Sequence, residues 1–257
     1  MEASLFDQHA QLEDRHWWFT ARRSILSDIV ARLVAGIRTP KVLDVGCGTG
    51  GMTAWIGRRW SCTGLDVSEQ AISRARLLYP EADFIQGRMP ESVEHLAGEA
   101  DVFMLLDVLE HIEDDRAFLA DLVAIMPTGS RLLITVPADP ALWSEHDVTA
   151  GHVRRYVGSE LSALFQGLPL RCDLQTPFNS LLYPIIKFIR QRGWKVGQDG
   201  SDFSLPSPPV NGTLRMLFAA EGFFIRRGLK TGRPAFPAGV SLLAVLTRLP
   251  DQAEASS

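Results

Sequence analysis

The chain has 257 residues, 46% hydrophobic and 22% charged, which is enough to bury the core of an ordinary globular protein. Its formal net charge of -4 at pH 7 disfavours a nucleic-acid substrate, because no excess of basic side chains attracts a phosphate backbone. Three widely spaced cysteines, Cys47, Cys62 and Cys172, form neither a zinc-binding pattern nor a disulfide framework. Since the N-terminus lacks the features of a signal peptide and no stretch is long enough to span a membrane, we expect a cytoplasmic protein.

Strand and helix patterns alternate through most of the chain. The aromatic cluster at residues 16–19 precedes apolar residues at helical spacing as far as Val34, which predicts an N-terminal amphipathic helix. Short apolar runs predict seven strands, at residues 41–45, 63–67, 83–86, 101–106, 131–136, 170–176 and 240–247. Further helices are predicted at residues 50–59, 68–79, 113–126, 159–165, 181–191 and 214–227.

The order of these elements predicts the fold. Strands that alternate with helices are typical of a mainly parallel sheet covered on both faces, so we expect an α/β fold with a Rossmann-like, doubly wound, seven-stranded sheet. The segment before the last strand has its own pattern and is predicted to be a helical cap insertion. The predicted parts are an N-terminal aromatic segment and helix (1–36), a Rossmann-like sheet domain (37–176), the cap (177–238), the last strand (239–250) and a disordered tail (251–257).

The first predicted strand runs into a glycine-rich loop, DVGCGTG at residues 44–50. Its glycines let the chain turn sharply and bring bare backbone against a ligand at the start of the next helix. With Gly51 the segment also matches the dinucleotide pattern GxGxxG, so a nicotinamide-dependent oxidoreductase is a rival interpretation. Two acids give the loop its context: Asp44 inside the first strand, and Asp66 at the end of the second, where it can accept hydrogen bonds from both hydroxyls of a ribose.

Further motifs accompany the glycine loop: GLDVS around Asp66, LLDVLEHIEDD at residues 105–115, and HWWFxxR before the first helix. Together with VLDVGCGTGG they resemble the class I S-adenosylmethionine-dependent methyltransferases. The DxxEH spacing of Asp107, Glu110 and His111 resembles the ubiquinone-biosynthesis O-methyltransferases and their uncharacterised relatives. The resemblance implies S-adenosyl-L-methionine as cofactor and O-methylation of a small or lipid-like acceptor. N- or C-methylation and a non-catalytic cofactor-binding protein are the alternatives.

The resemblance also assigns residues to the cofactor. It implies contacts around the methionine end after the first strand, around the ribose after the second and around the adenine after the third. The residues implied are Arg22, Asp44, Gly46, Cys47, Gly48, Asp66, Val67, Gln86, Gly87, Arg88, Met89, Leu106, Asp107 and His111. Where many relatives place an acid for the adenine amine, this chain has Gly87 and Arg88, so backbone contacts are expected there. Arg22 is either a partner for the cofactor carboxylate or a solvated helix arginine.

Asp107, Glu110 and His111 follow the fourth strand at helical spacing, which predicts that they share one face above the strand ends, where open α/β sheets bind ligands. Two carboxylates and an imidazole suit a divalent metal that lowers the pKa of a hydroxyl. The resemblance adds that related O-methyltransferases use this spacing for magnesium-type ions. Two alternatives stay open: His111 acts as a general base, or the residues only line the cofactor pocket and brace the loop.

The connection after the fifth strand is rich in side chains that suit acceptor chemistry. His146 and His152, together with His111, are the candidates for a catalytic base. The candidate acceptor-binding residues are Trp143, Arg154, Arg155, Tyr156 and, in the cap, Tyr183. For each of these the alternative is a structural role, as a loop-bracing histidine or a solvated arginine.

The first cap helix mixes apolar and basic residues, such as Ile185, Phe188 and Lys187, and Pro184 interrupts its helical pattern. Three interpretations fit this composition. The helix is the wall of an apolar acceptor pocket, it lies on an anionic membrane surface, or it forms the core of the cap. The sequence therefore predicts a small-molecule or lipid-like partner, with peripheral membrane contact as an open alternative.

Overall fold

The computed structural model describes residues 12–192 and 205–251, and its elements are numbered in chain order within these residues. The strands are β1 (Lys41–Val45), β2 (Ser61–Asp66), β3 (Asp83–Gln86), β4 (Val102–Leu106), β5 (Arg131–Pro137), β6 (Leu170–Phe178) and β7 (Ser241–Arg248). The helices are α1 (Trp17–Leu33), α2 (Gly51–Gly57), α3 (Glu69–Leu78), α4 (Glu94–Ala97), α5 (Asp115–Ile125), α6 (Glu145–Ala150), α7 (Gly158–Phe165), α8 (Tyr183–Gln191) and α9 (Pro208–Thr231), with short 3₁₀ turns at Leu109–His111 and Pro140–Leu142.

The seven strands form one sheet in the order β3-β2-β1-β4-β5-β7-β6. The pairs from β3 to β5 are parallel, and β7 lies antiparallel between β5 and β6. This confirms the predicted Rossmann-like, seven-stranded, mainly parallel sheet. The strand order reverses direction between β1 and β4, and open sheets of this kind bind ligands beyond the carboxyl ends of the strands at such a point.

Alternating side chains of the buried strands supply two separate cores. In β4, Phe103 and Leu105 face the core that contains α5 and α7, whereas Val102 and Met104 face the core that contains α1 and α9. Helix α1 packs there through residues at helical spacing, among them Ile25. The sheet is therefore covered on both faces, which leaves the ends of the strands as the place for a ligand.

The cap lies between β6 and β7 and contains α8 and α9. Helix α9 starts at Pro208, six residues earlier than predicted, because a proline is tolerated in the first turn, where its missing N–H has no helical partner. For the same reason Pro184 falls in the first turn of α8 instead of interrupting it. The cap residues 193–204 and the predicted disordered tail beyond Asp251 lie outside the described residues. Within the described residues, no helix combines the length and the apolar content needed to cross a membrane.

Candidate active site

A cavity of about 650 Å³ opens at the carboxyl ends of β1 and β4 and extends under the cap. One end is formed by the glycine loop and the other by the histidine-rich connection after β5. Apolar cap residues close the top of the cavity: Leu182, Ile185, Ile186, Ile189, Val210 and Leu214. The size lies within the range of small-molecule sites, and the wall combines an apolar cap with a polar floor.

The glycine loop has a backbone that other residues would strain. Gly46 and Gly50 have φ angles of 78° and 82°, in the left-handed region. A Cβ atom on Gly46 would lie 2.5 Å from the Val108 side chain, and one on Gly50 would lie 2.5 Å from the Phe84 ring. These two positions therefore require glycine for conformation and for space, and the loop presents bare backbone to the cavity.

Asp44 lies in β1 beside this loop and is almost fully buried. Its Oδ2 accepts a hydrogen bond of 2.6 Å from Thr53 Oγ1. Burial raises the pKa of Asp44 from 3.8 to about 6, and the Thr53 hydrogen bond and the charge of Arg22 only partly oppose this. Its carboxylate is a buried acid at the cavity wall that a cationic ligand group would stabilise.

Asp66 holds the loop in place at the end of β2. Its Oδ2 accepts from the Gly48 amide at 2.9 Å, and its Oδ1 accepts from the Ser68 amide at 2.8 Å. Ser68 is the N-cap of α3. All the residues predicted to surround the ribose and adenine lie outside the wall of the cavity, along the adjoining strand ends: Asp66, Val67, Gln86, Gly87, Arg88 and Met89.

Arg22 has an internal partner in the structure. Its Nη2 lies 2.7 Å from Asp107 Oδ2 and donates to Thr135 Oγ1 at 2.8 Å, and the Thr135 hydroxyl in turn donates to Asp107 Oδ1 at 3.0 Å. Arg22 Nε is buried and has no hydrogen-bond partner among the described residues. The guanidinium thus lines the cavity while it anchors α1 to the ends of β4 and β5.

The prediction that Asp107, Glu110 and His111 share one helical face is wrong for Asp107. Asp107 has a φ angle of 61°, so the chain is not helical there, and its side chain turns to Arg22. Glu110 and His111 instead meet His152 from the connection after β5, and one ligand atom from each lies within 4.8 Å of the others. The cluster that the structure assembles therefore consists of Glu110, His111 and His152.

The two histidines of this cluster are oriented through their Nδ1 atoms. His111 Nδ1 lies 3.2 Å from the Gly151 carbonyl oxygen, and His152 Nδ1 lies 2.8 Å from Asp147 Oδ1. Because a carbonyl and a carboxylate accept hydrogen bonds, each contact places a proton on Nδ1, and in a neutral ring Nε2 then keeps a lone pair. Burial and the neighbouring His152 lower the pKa of His111, which favours its neutral form.

The electrostatic surroundings of Glu110 and of Asp147, which contacts the cluster through His152, shift the pKa values of the two acids in opposite directions. Glu110 is fully buried, and both of its carboxylate oxygens have no hydrogen-bond partner among the described residues. Burial, with the nearby charge of Asp107, raises its pKa well above the usual value. Burial also acts to raise the pKa of Asp147, but the hydrogen bond from His152 and the ion pair with Arg155 outweigh it and hold the pKa below the usual range.

Glu110, His111 and His152 could hold a divalent metal ion. Their two open imidazole nitrogens and one carboxylate suit zinc, manganese or iron better than magnesium, which prefers oxygen ligands. The orientation of each Nδ1 by a carbonyl or carboxylate is the support that metal-binding histidines usually have. A metal would also satisfy the orphaned oxygens of Glu110.

The predicted acceptor residues divide into two groups. Arg155 lines the cavity, as does the candidate base His146, and Arg155 Nε lies 2.8 Å from Asp147 Oδ1. The others lie outside the cavity wall: Trp143, Arg154, Tyr156 and Tyr183. Arg154 pairs with Asp115 and Tyr156 donates its hydroxyl proton to the same acid, while the Tyr183 hydroxyl donates to Asp139 Oδ2 at 2.6 Å. These side chains hold elements together.

The sequence assigned no individual role to one acid of the site, Asp147, and gave no indication of a second, Glu13. Asp147 sits in a short helix, and only its place five residues before His152 hints that the two meet. Glu13 lies in a polar stretch without a pattern, yet it lines the cavity and accepts a hydrogen bond of 2.8 Å from Thr49 Oγ1. Burial raises the pKa of Glu13, so this N-terminal acid, like Asp44, is a carboxyl group beside the glycine loop whose ionised form is disfavoured by burial.

Comparison with known proteins agrees with this geometry. The methyltransferase-domain family matches residues 18–173, more than half of the sequence, and the chain belongs to this family. The match confirms the resemblance to class I S-adenosylmethionine-dependent methyltransferases that the motifs indicate. It ends at residue 173, so the cap lies outside the matched residues.

Two curated relatives are ubiquinone biosynthesis O-methyltransferases. The protein of Erwinia tasmaniensis is 31% identical over 136 residues, which cover 51% of this chain and 56% of the relative. The protein of Pseudomonas aeruginosa is 33% identical over 112 residues, which cover 41% and 48%. The chain spans about half the length of the curated relatives it matches.

Solved structures show the same fold over nearly the whole chain. The plantazolicin methyltransferase in complex with SAH has a TM-score of 0.57 at 17% identity and covers 95% of this chain and 90% of its own. A SAM dependent methyltransferase from Archaeoglobus fulgidus has a TM-score of 0.51 at 15% identity, with coverage of 88% and 94%. At these identities the likeness establishes the fold, including the sheet that frames the cavity.

Proposed function

We propose that the chain is an S-adenosylmethionine-dependent methyltransferase that methylates an oxygen atom of a small, lipid-like acceptor. The observation that carries the proposal is the cavity itself, which joins the glycine loop to the histidine cluster beneath an apolar cap. The glycine-loop end of the cavity suits the methionine part of the cofactor, and the histidine end suits removal of a proton. The names of the curated relatives, which are O-methyltransferases, favour oxygen over nitrogen or carbon as the acceptor atom.

The residues at the glycine loop fit this cofactor. Gly46 and Gly48 line the cavity without side chains, and the buried Asp44 carboxylate can accept hydrogen bonds from the ammonium of the methionine part. Arg22, whose buried Nε has no partner among the described residues, can donate to the cofactor carboxylate. When bound, S-adenosylmethionine supplies a methyl group carried on a sulfonium. The loop and α1 then fix its position for in-line attack by the acceptor.

His152 is the strongest candidate for the proton acceptor. Its Nδ1–H donates to Asp147, so Nε2 is free to take the proton of an acceptor hydroxyl, and the Asp147 carboxylate stabilises the imidazolium that results. Arg155 holds Asp147 in this position from the other side. His111 and His146 line the same cavity and would contact the acceptor, with His111 in its neutral form.

A metal ion at Glu110, His111 and His152 is a second candidate for activating the acceptor. The specific observation in its favour is that both buried oxygens of Glu110 lack a hydrogen-bond partner among the described residues. Bound there, a divalent ion would lower the pKa of an acceptor hydroxyl. Titration of the protein with manganese or zinc, compared with Glu110→Gln, tests this: equal binding by the two proteins contradicts the metal site.

The apolar cap supports the lipid-like character of the acceptor. Ile185, Ile186 and Ile189 face the cavity from α8, and Val210 and Leu214 face it from α9. Such a wall can bury an alkyl or prenyl tail, and each methylene it removes from water contributes about 0.8 kcal/mol. A nucleic-acid substrate gains no comparable contact with this surface. We therefore expect phenols with an apolar tail to be better acceptors than phenols without one.

Binding and turnover measurements test the proposal in order. Calorimetry with S-adenosylhomocysteine should show binding that Asp44→Ala weakens, and NAD should show none; the reverse pattern would establish the oxidoreductase interpretation instead. A panel of phenols with and without alkyl tails, assayed with labelled S-adenosylmethionine, tests the acceptor class. If cofactor binds but no acceptor in the panel receives the label, the non-catalytic interpretation gains support and the O-methylation proposal fails.

A further inference from the structure

Positive charge is concentrated on the cap. Residues 183–192 and 208–231 carry seven basic residues and one acidic residue, Glu221, whereas the rest of the chain carries 19 basic and 29 acidic residues. Glu221 is fully buried, and its Oε1 accepts hydrogen bonds from the Ser180 and Leu181 amides at 2.7 and 2.8 Å. The cap therefore presents a positive surface on an otherwise acidic protein.

Helix α9 also exposes apolar side chains. Met216, Ala220, Phe223 and Arg227 follow one another at helical spacing on the side opposite the buried Phe218, and we name these four residues the outer stripe. Met216 is 66% and Phe223 61% exposed. Large apolar side chains in a row on an exposed helix face usually mark an interaction surface.

The basic residues near the outer stripe are available for a partner. Among the residues that the structure describes, no ion pair involves Arg215, Arg227 or Lys230, whereas Arg226 is held by Asp28 on α1. All three residues are exposed. Aromatic and sulfur side chains flanked by unpaired cations are the composition of helices that lie in the headgroup layer of a membrane.

We propose that the outer stripe of α9 docks the protein on an anionic lipid membrane. The apolar residues of the stripe enter the headgroup layer, and Arg227 and Lys230 meet the negative charges of the lipids. A second copy of the chain is a poorer partner, because a symmetric contact would place the same cations against one another. Val210 and Leu214 line the cavity from another side of the same helix, so docking would place the membrane beside the cap that covers the cavity.

The consequence concerns the supply of an apolar acceptor. Docking would hold the cap that covers the cavity at the bilayer, where a lipid-like acceptor is concentrated. The docking itself goes beyond the proposed methyl transfer and does not depend on it, because it needs neither cofactor nor acceptor. A failure of vesicle binding and a failure of methyl transfer are thus separate results.

Vesicle flotation of the whole chain tests the proposal. The protein should float with vesicles of phosphatidylcholine that contain phosphatidylglycerol, stay behind with phosphatidylcholine alone, and dissociate as the salt concentration rises. Arg227→Gln with Lys230→Gln should weaken binding about fivefold for each charge removed. Met216→Ser with Phe223→Ser should abolish flotation at any salt concentration.

Two matched controls distinguish vesicle binding through the outer stripe from nonspecific binding. Leu77→Ser removes a side chain that is 71% exposed on α3, and Arg38→Gln removes an exposed charge outside the cap; both should float like the unmodified protein. Circular dichroism should show unchanged helix content in every variant. The proposal is overturned if neutral and anionic vesicles bind equally, if the charge variant floats normally, or if light scattering shows a dimer that Met216→Ser with Phe223→Ser disperses.

Discussion

Replacing Asp44 by asparagine should stabilise the protein while it weakens cofactor binding. Burial raises the pKa of this carboxyl from 3.8 to about 6, so the folded state holds the proton more tightly than the unfolded state. Stability from this group is therefore largest when it is protonated, and it falls as the pH rises from about 4 to about 6. A difference of about two pKa units corresponds to about 3 kcal/mol, so the ionised carboxylate lowers the free energy of unfolding of the ligand-free protein by this amount at neutral pH.

Urea denaturation of both proteins over a pH series measures this cost. Asp44→Asn keeps an oxygen that can accept from Thr53, so the variant should be more stable by about 3 kcal/mol above pH 6, and the difference should vanish near pH 4. Glu81→Gln, at an exposed acid, is the matched control and should show no such difference. A variant that is equally stable or less stable above pH 6 would refute the reasoning. The affinity of Asp44→Asn for S-adenosylhomocysteine should fall about tenfold or more relative to the unmodified protein.

Three further substitutions test other parts of the site. Gly50→Ala, at a φ of 82° and facing an aromatic ring, should lower the free energy of unfolding by about 3 kcal/mol in urea, whereas Gly98→Ala, which meets no atom within 4 Å, should not. Asp147→Asn should lower the rate constant of methyl transfer about a hundredfold with little change in KM, and an unchanged rate would remove the proposed base. Tyr183→Phe should lower the free energy of local opening of α8 by about 1 kcal/mol, which is measured as faster hydrogen exchange in that helix. Unchanged exchange would show that the hydrogen bond to Asp139 does not stabilise α8.

The sheet could be predicted because its signals are local. Each buried strand is a short apolar run, and the runs alternate with helical patterns in the order that a parallel sheet requires. The ends of elements were less predictable. Helix α9 starts at Pro208, and α8 starts just before Pro184. Both starts depend on the tolerance for proline in the first turn of a helix, whereas an argument from apolar periodicity treats proline as the end of a helix.

The candidate site was only partly predictable, because its contacts join distant parts of the chain. The glycine loop is a continuous segment, so its conformation followed from the sequence. The spacing of Asp107 and Glu110 suggested a shared face, but Arg22 and Thr135, remote in sequence, hold Asp107 elsewhere. His152 was predicted as a separate candidate, and only the fold brings it to Glu110.

The pairing of the last two strands has a consequence for how acceptor choice can change. Phe178 of β6 lies opposite Ser241 of β7, so the whole cap is, in topological terms, one long loop of a β-hairpin. Closing a flexible loop costs only about 0.6 kcal/mol more for each doubling of its length. The parts of the cap outside α9 could therefore change in length and composition while the sheet keeps its register, because α9 itself packs on α1 and covers one face of the sheet. The cavity wall that α8 supplies can then diversify while the glycine loop stays unchanged, in evolution or in the laboratory.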